Sequence, residues 1–201
     1  MLTTKHVRWA GLALIVSGAL DLASTIGAGV TAGDQPLTLV ATTTSFLVLN
    51  SLLLVAVLLM TLGVVGLYAR QAEKAGLLGL VALVVAIAGL LLVSGVLWNR
   101  IFVLTSLAVG MHEVLEAPPG AMLQLGWGLS NTVFALGLVL MGVSSAVSKA
   151  LPAWAGWGLA GGTVLFFILG MLGMPGSVAS IPVDAGLVAA GYALWSGKGS
   201  T

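Results

Sequence analysis

From Phe46 to Tyr68, and again from Gly76 to Trp98, the chain carries no charged side chain. At ~1.5 Å of rise per residue, a helix over either stretch crosses a hydrocarbon core of ~30 Å. In hydrocarbon every backbone N–H and C=O must be paired within the protein, so a spanning segment is a helix or a strand of a closed barrel. A barrel strand alternates apolar and polar residues over ~10 positions. These runs are continuous and about twice that length, which selects helices. Composition points the same way. Hydrophobic residues make up 59% of the chain and charged residues 6%, with a mean hydropathy of +1.17. A soluble domain carries ~25% charged residues, and this chain cannot build such an exterior. The expected fold is therefore all-α: a polytopic transmembrane helical bundle of about six spans forming one membrane domain over residues 1–201.

The apolar stretches fall at 9–30, 46–68, 76–98, 122–147, 154–173 and 177–196. Gly33, Asp34 and Pro36 mark a loop after the first. Ala69 to Ala75, with Arg70, Glu73 and Lys74, reads as a short polar loop. Asn99 to Ala121 is the longest break; within it, Ile101 to Met111 is apolar but too short to span, and either extends the third helix or lies in the interface. The last stretch is the least regular, because Pro182 and Asp184 fall inside it. A competing reading makes the N-terminus a signal peptide with Val30–Thr31–Ala32 as the cleavage site, which would leave one span fewer.

Positive charge sets the orientation, because cytoplasmic loops carry the excess of Lys and Arg. With the N-terminus inside, Lys5, Arg8, Arg70, Lys74, Lys149 and Lys198 lie inside and only Arg100 lies outside. Both termini are then cytoplasmic. Trp9, Trp98 and Trp154 sit at span ends, as interfacial anchors do.

Several chemistries find no support. The net charge is +1, and there is no basic cluster of the kind that holds nucleic acid. Cysteine is absent, so thiolate nucleophiles and Cys metal sites are excluded. His112-Glu113-Val114-Leu115-Glu116 lacks the second histidine that a zincin helix needs, and a metal there would require ligands from other loops. No catalytic constellation is recognised, and no cofactor is expected.

The polar residues within the spans are the candidates for function. Asp21 lies near mid-membrane on the first span, where an ionised carboxylate costs ~3 kcal/mol on insertion scales. It should face the bundle interior, be protonated or have a partner. Ser24 and Thr25 share its helix face by i, i+3, i+4 spacing. Asn50 on the second span, Asn131 and Thr132 on the fourth, and Asp184 on the sixth lie at similar or shallower depth toward the outside. Arg100 could pair with Asp184, Glu113 or Glu116, or simply snorkel at the interface. These residues are the candidate ligand- or ion-binding set, arranged as a polar cavity opening outward with Asp21 and Asn131 at its floor. Interhelical hydrogen bonding, worth about 0.6 kcal/mol per contact, is the ordinary alternative. Gly158, Gly162 and Gly186 fit the small-residue pattern of close helix packing, either within the chain or in a homo-oligomer or larger membrane complex.

The runs Leu49-Asn50-Ser51-Leu52-Leu53-Leu54, Leu62-Gly63-Val64-Val65-Gly66-Leu67-Tyr68-Ala69-Arg70 and Ala75-Gly76-Leu77-Leu78-Gly79-Leu80, with Leu151-Pro152-Ala153-Trp154, resemble six-helix bacterial membrane proteins grouped as domains of unknown function. The resemblance implies a bacterial inner membrane and carries over no catalytic residue. The functional expectation is a non-enzymatic membrane protein that binds or passes a small solute or ion. An accessory subunit of a larger membrane complex is the alternative.

Overall fold

The computed structural model describes residues 4–33, 35–111 and 120–197. Asp34, His112, Glu113, Glu116 and Lys198 lie outside the described residues. Every regular element among those described is helical. In chain order they are α1 (Thr4–Ala32), α2 (Leu37–Val40), α3 (Thr44–Trp98), a π-turn (Asn99–Leu104), α4 (Thr105–Gly110), α5 (Ala121–Val147), α6 (Ala153–Met171), α7 (Gly176–Ala179) and α8 (Ile181–Ser196). Five helical stretches are long and apolar enough to cross a membrane: Thr4–Ala32, Thr44–Gly110, Ala121–Val147, Ala153–Met171 and Gly176–Ser196.

The long α3 is broken at Gly76, where φ is 52° and ψ is −138°. Only glycine adopts that backbone without a steric penalty. Before the break, Gly63 packs against Leu14 and Gly66 against Ala10, both on α1. After it, Gly79 lies beside Ser144, and Gly89 sits against the backbone of Phe134 on α5. The Tyr68 ring lies 3.8 Å from where a Cβ on Gly79 would stand, although a straight helix would separate those positions by about three turns. The chain therefore folds back at Gly76, and the two halves of α3 serve different neighbours. From there α5 packs on α6, α6 on α8, and α8 returns to α1.

The expected loop from Ala69 to Ala75 is helical instead. Its interior residue Gln71 is fully buried and finds partners on α5. Its Nε2 lies 3.0 Å from Met141 Sδ, and its Oε1 accepts from Ser145 Oγ at 3.0 Å. With its amide met across the interface, Gln71 has no need of water, Arg70, Glu73 and Lys74 stay on the exposed side of the helix, and the turn shrinks to Gly76. At the other end of α3 the helix runs on through the π-turn to Gly110, so the apolar 101–111 stretch extends the third helix. Pro182 does not interrupt the last helix. It stands in the first turn of α8, where its missing N–H would have had no helical partner.

Leu14, Met60, Leu67, Leu90, Leu138, Met141, Leu159 and Leu187 are fully buried and form one core. Large apolar side chains also cover the outside, among them Leu62, Leu77, Leu91 and Met171. Trp9, Trp98 and Trp154 are exposed near helix ends. Arg8 Nε donates to the carbonyl of Trp195 at 3.1 Å. The start of α1 and the end of α8 therefore lie at the same end of the bundle.

Candidate functional site

The antiparallel pairing of α1 and α8 builds the site. Gly11 and Gly191 let the two backbones touch: a Cβ on either would come within 2.7 Å of the other's carbonyl oxygen. Further along, a Cβ on Gly18 would meet the carbonyl oxygen of Asp184 at 3.0 Å. That contact brings Asp184, in the first turn of α8, level with α1. Asp21 stands one turn beyond Gly18. The two carboxyl groups come within hydrogen-bonding reach of each other.

The surroundings are polar but incompletely paired. Asp184 is 1% exposed, and neither of its carboxyl oxygens has a hydrogen-bond donor. The Ser180 hydroxyl is near enough to interact with this carboxyl, yet it too lacks a bond of good geometry. On α1 the hydroxyls of Ser17 and Ser24 are buried and unpaired. Thr25 donates to the backbone carbonyl of Asp21 at 2.6 Å. Two ionised carboxylates offer acceptors only. Their contact becomes favourable when a proton sits on one of them or a cation lies between them. A buried carboxylate with no donor costs free energy until one of these arrives. Among the described residues no group of three or more His, Asp or Glu side chains could hold a metal ion, so this is a two-carboxylate site flanked by hydroxyls.

On one side the pair backs onto an apolar groove of about 520 Å³, lined by Gly18, Leu22, Ile181, Asp184, Trp154 and Tyr192. The groove lies on the apolar flank of the bundle.

The other predicted site residues separate into two groups. Asn50 and Arg100 line a second cavity, at the far end of α1. The pairing of Arg100 with Asp184 does not form: Asp184 is buried level with Gly18, whereas Arg100 lies beside Ala28 and Ala32. Its alternative partners Glu113 and Glu116 are outside the described residues. Asn131 and Thr132 are exposed on α5, and their side chains bond back to Trp127 and Gly128 of their own helix. They do not join Asp21. Sequence reasoning passed over Ser17 and Ser180. Each stands four residues before one of the two aspartates, and that spacing was the available signal. Gly162 and Gly186 are used within the chain. A Cβ on Gly162 would enter the backbone of Pro182, and one on Gly186 would lie 2.7 Å from the carbonyl oxygen of Gly158.

No protein-family model, curated protein or solved structure matches this chain.

Proposed function

We propose that the chain is a multi-pass inner-membrane protein that binds a small cation, a proton first of all, at the Asp21–Asp184 pair, and passes it across the bilayer. The observation that carries the reading is a carboxyl pair contributed by two helices, Asp184 buried and Asp21 half-buried, with unpaired oxygens around it and, among the described residues, no basic side chain acting on it. Ionisable groups inside membranes commonly mark proton and ion pathways. The test is direct. The full chain is reconstituted into phosphatidylcholine vesicles carrying an imposed pH gradient. Wild type is expected to dissipate the gradient faster than empty vesicles, and Asp21→Asn and Asp184→Asn are expected to match empty vesicles. Equal rates for all samples would remove transport from the proposal, and a wild-type flux retained in both variants would remove the pair.

The same reading has six crossings, the fold-back at Gly76 separating two of them, and both termini in the cytoplasm. Arg70 and Lys74 follow Gly66, which meets Ala10. They therefore cluster with Lys5 and Arg8, and the positive-inside rule makes that end cytoplasmic. The absence of cysteine makes single-cysteine labelling clean. In intact cells a membrane-impermeant maleimide is expected to modify Gly120→Cys and to spare Glu73→Cys. The reverse pattern would invert the orientation.

A subunit role is the second reading, favoured by one feature. Gly158 and Gly161 open onto a shallow exterior groove of about 450 Å³ between α6 and α8, where another helix could lie close.

A further inference from the structure

The second cavity, of about 200 Å³, lies where α1 ends, beneath α2 and the start of α3. Its wall is mainly apolar, with Leu37 and Phe46 among the lining residues, and its polar groups are Thr31, Gln35, Asn50 and Arg100. Among the described residues no acidic side chain lines it. Arg100 is exposed and stands on the π-turn Asn99–Leu104. Such turns are rare and gather at functional sites. Asn50 is 6% exposed. Its Nδ2 donates to the Phe46 carbonyl at 2.8 Å, while its Oδ1 is buried with no partner.

These two side chains ask for opposite things. The guanidinium of Arg100 presents several N–H donors in a fork suited to phosphate or carboxylate oxygens. The Asn50 Oδ1 can only accept, so it calls for an N–H or O–H donor. One small group supplies both: an anionic phosphate joined through a short chain to an ammonium. The apolar wall suits the hydrocarbon that adjoins such a group in a lipid.

We propose that this cavity binds an aminoalkyl phosphate, the phosphoethanolamine group, with the phosphate on Arg100 and the ammonium donating to Asn50 Oδ1. The group has two sources, the headgroup of phosphatidylethanolamine and free O-phosphoethanolamine. The choline analogue is excluded by chemistry, because its quaternary nitrogen has no N–H to give Asn50. The proposal rests on Arg100 and Asn50 alone and is independent of the carboxyl pair.

The experiment uses the full chain in two arms. In the first, the protein is reconstituted into nanodiscs containing equal amounts of phosphatidylethanolamine and phosphatidylcholine, and re-extracted. The lipid that stays bound is then identified by mass spectrometry. In the second, the detergent-solubilised protein is titrated with O-phosphoethanolamine or O-phosphocholine, and the shift in melting temperature is read. Wild type is expected to retain the ethanolamine lipid preferentially. Arg100→Gln is expected to bind it at least about tenfold more weakly, as befits the loss of a charge-assisted pair. Asn50→Leu is expected to lose the preference for ethanolamine over choline. Binding in the first arm alone identifies the membrane lipid as the ligand. Binding in both identifies the headgroup as sufficient, and binding in the second alone identifies the free metabolite. If wild type prefers neither ethanolamine compound, or Arg100→Gln binds as wild type does, the proposal is wrong. Should Asn50→Leu fail to fold, Arg100→Gln decides.

Discussion

Replacing Gly89 by valine is expected to abolish the folded bundle. Gly89 lies in the second half of α3, against the backbone of Phe134 on α5, and Gly137 of α5 lies against the backbone of Ala86 in return. The two helices therefore touch main chain to main chain at this crossing. A Cβ with two methyl groups cannot rotate away from a neighbouring Cα, so the helices must separate along their length. Overpacking costs of ~1–3 kcal/mol are usual where flexible side chains can yield; here none can, and the cost should be at or above the top of that range. Because the clash is with main chain on both helices, the loss should exceed that range and consume most of a whole-protein stability of ~5–15 kcal/mol. Gly95→Val is the matched control, because nothing lies within 4 Å of a Cβ at that position. Thermal unfolding in detergent, followed by size-exclusion chromatography, should find Gly95→Val close to wild type and Gly89→Val largely aggregated. Equal melting temperatures would mean that α3 and α5 are not in backbone contact.

Asp21→Asn and Asp184→Asn are expected to eliminate modification by dicyclohexylcarbodiimide while leaving the fold intact. The reagent takes its proton from a carboxylic acid, and the carboxylate oxygen then adds to the carbodiimide carbon. It therefore selects protonated carboxyls in apolar surroundings. The groove beside Asp184 is lined almost wholly by apolar side chains, so the reagent can partition from the bilayer up to the buried Asp184 carboxyl and react there as α1 and α8 fluctuate. An asparagine in either position supplies N–H donors to the remaining carboxylate, which then needs no proton and does not react. Since the amide also satisfies a buried acceptor, the melting temperature should not fall. Mass spectrometry of labelled protein reads both variants against wild type. Undiminished labelling in either variant would dissociate the two aspartates.

The sequence announced the helices better than it announced their faces. Uncharged runs such as Phe46 to Tyr68 mark spans because hydrocarbon tolerates nothing else. The same apolarity conceals which side of a helix turns inward. In lipid the outside is as greasy as the core, so periodicity carries little signal. Asn131 and Thr132 illustrate the difficulty. Their polarity suggested an interior role, yet each hydroxyl or amide is satisfied by its own backbone four residues earlier and can face outward at small cost. Gln71 failed in the opposite sense. Its charged neighbours suggested a loop, and only the partners on α5 explain its burial. Asp21 was legible as a residue, because mid-membrane carboxylates need a reason. Its meeting with Asp184 was not, because it depends on Gly11, Gly18 and Gly191 bringing α1 and α8 into contact, and that contact joins opposite ends of the chain.

The shared cation on the Asp21–Asp184 pair is the claim on which the functional account stands. Infrared spectroscopy of the reconstituted protein, wild type against Asp184→Asn, tests it most directly. A carbonyl stretch of a protonated carboxyl at neutral pH, present in wild type and absent from the variant, is the expected result. A wild-type spectrum with ionised carboxylates alone, unchanged by sodium or potassium, would contradict it.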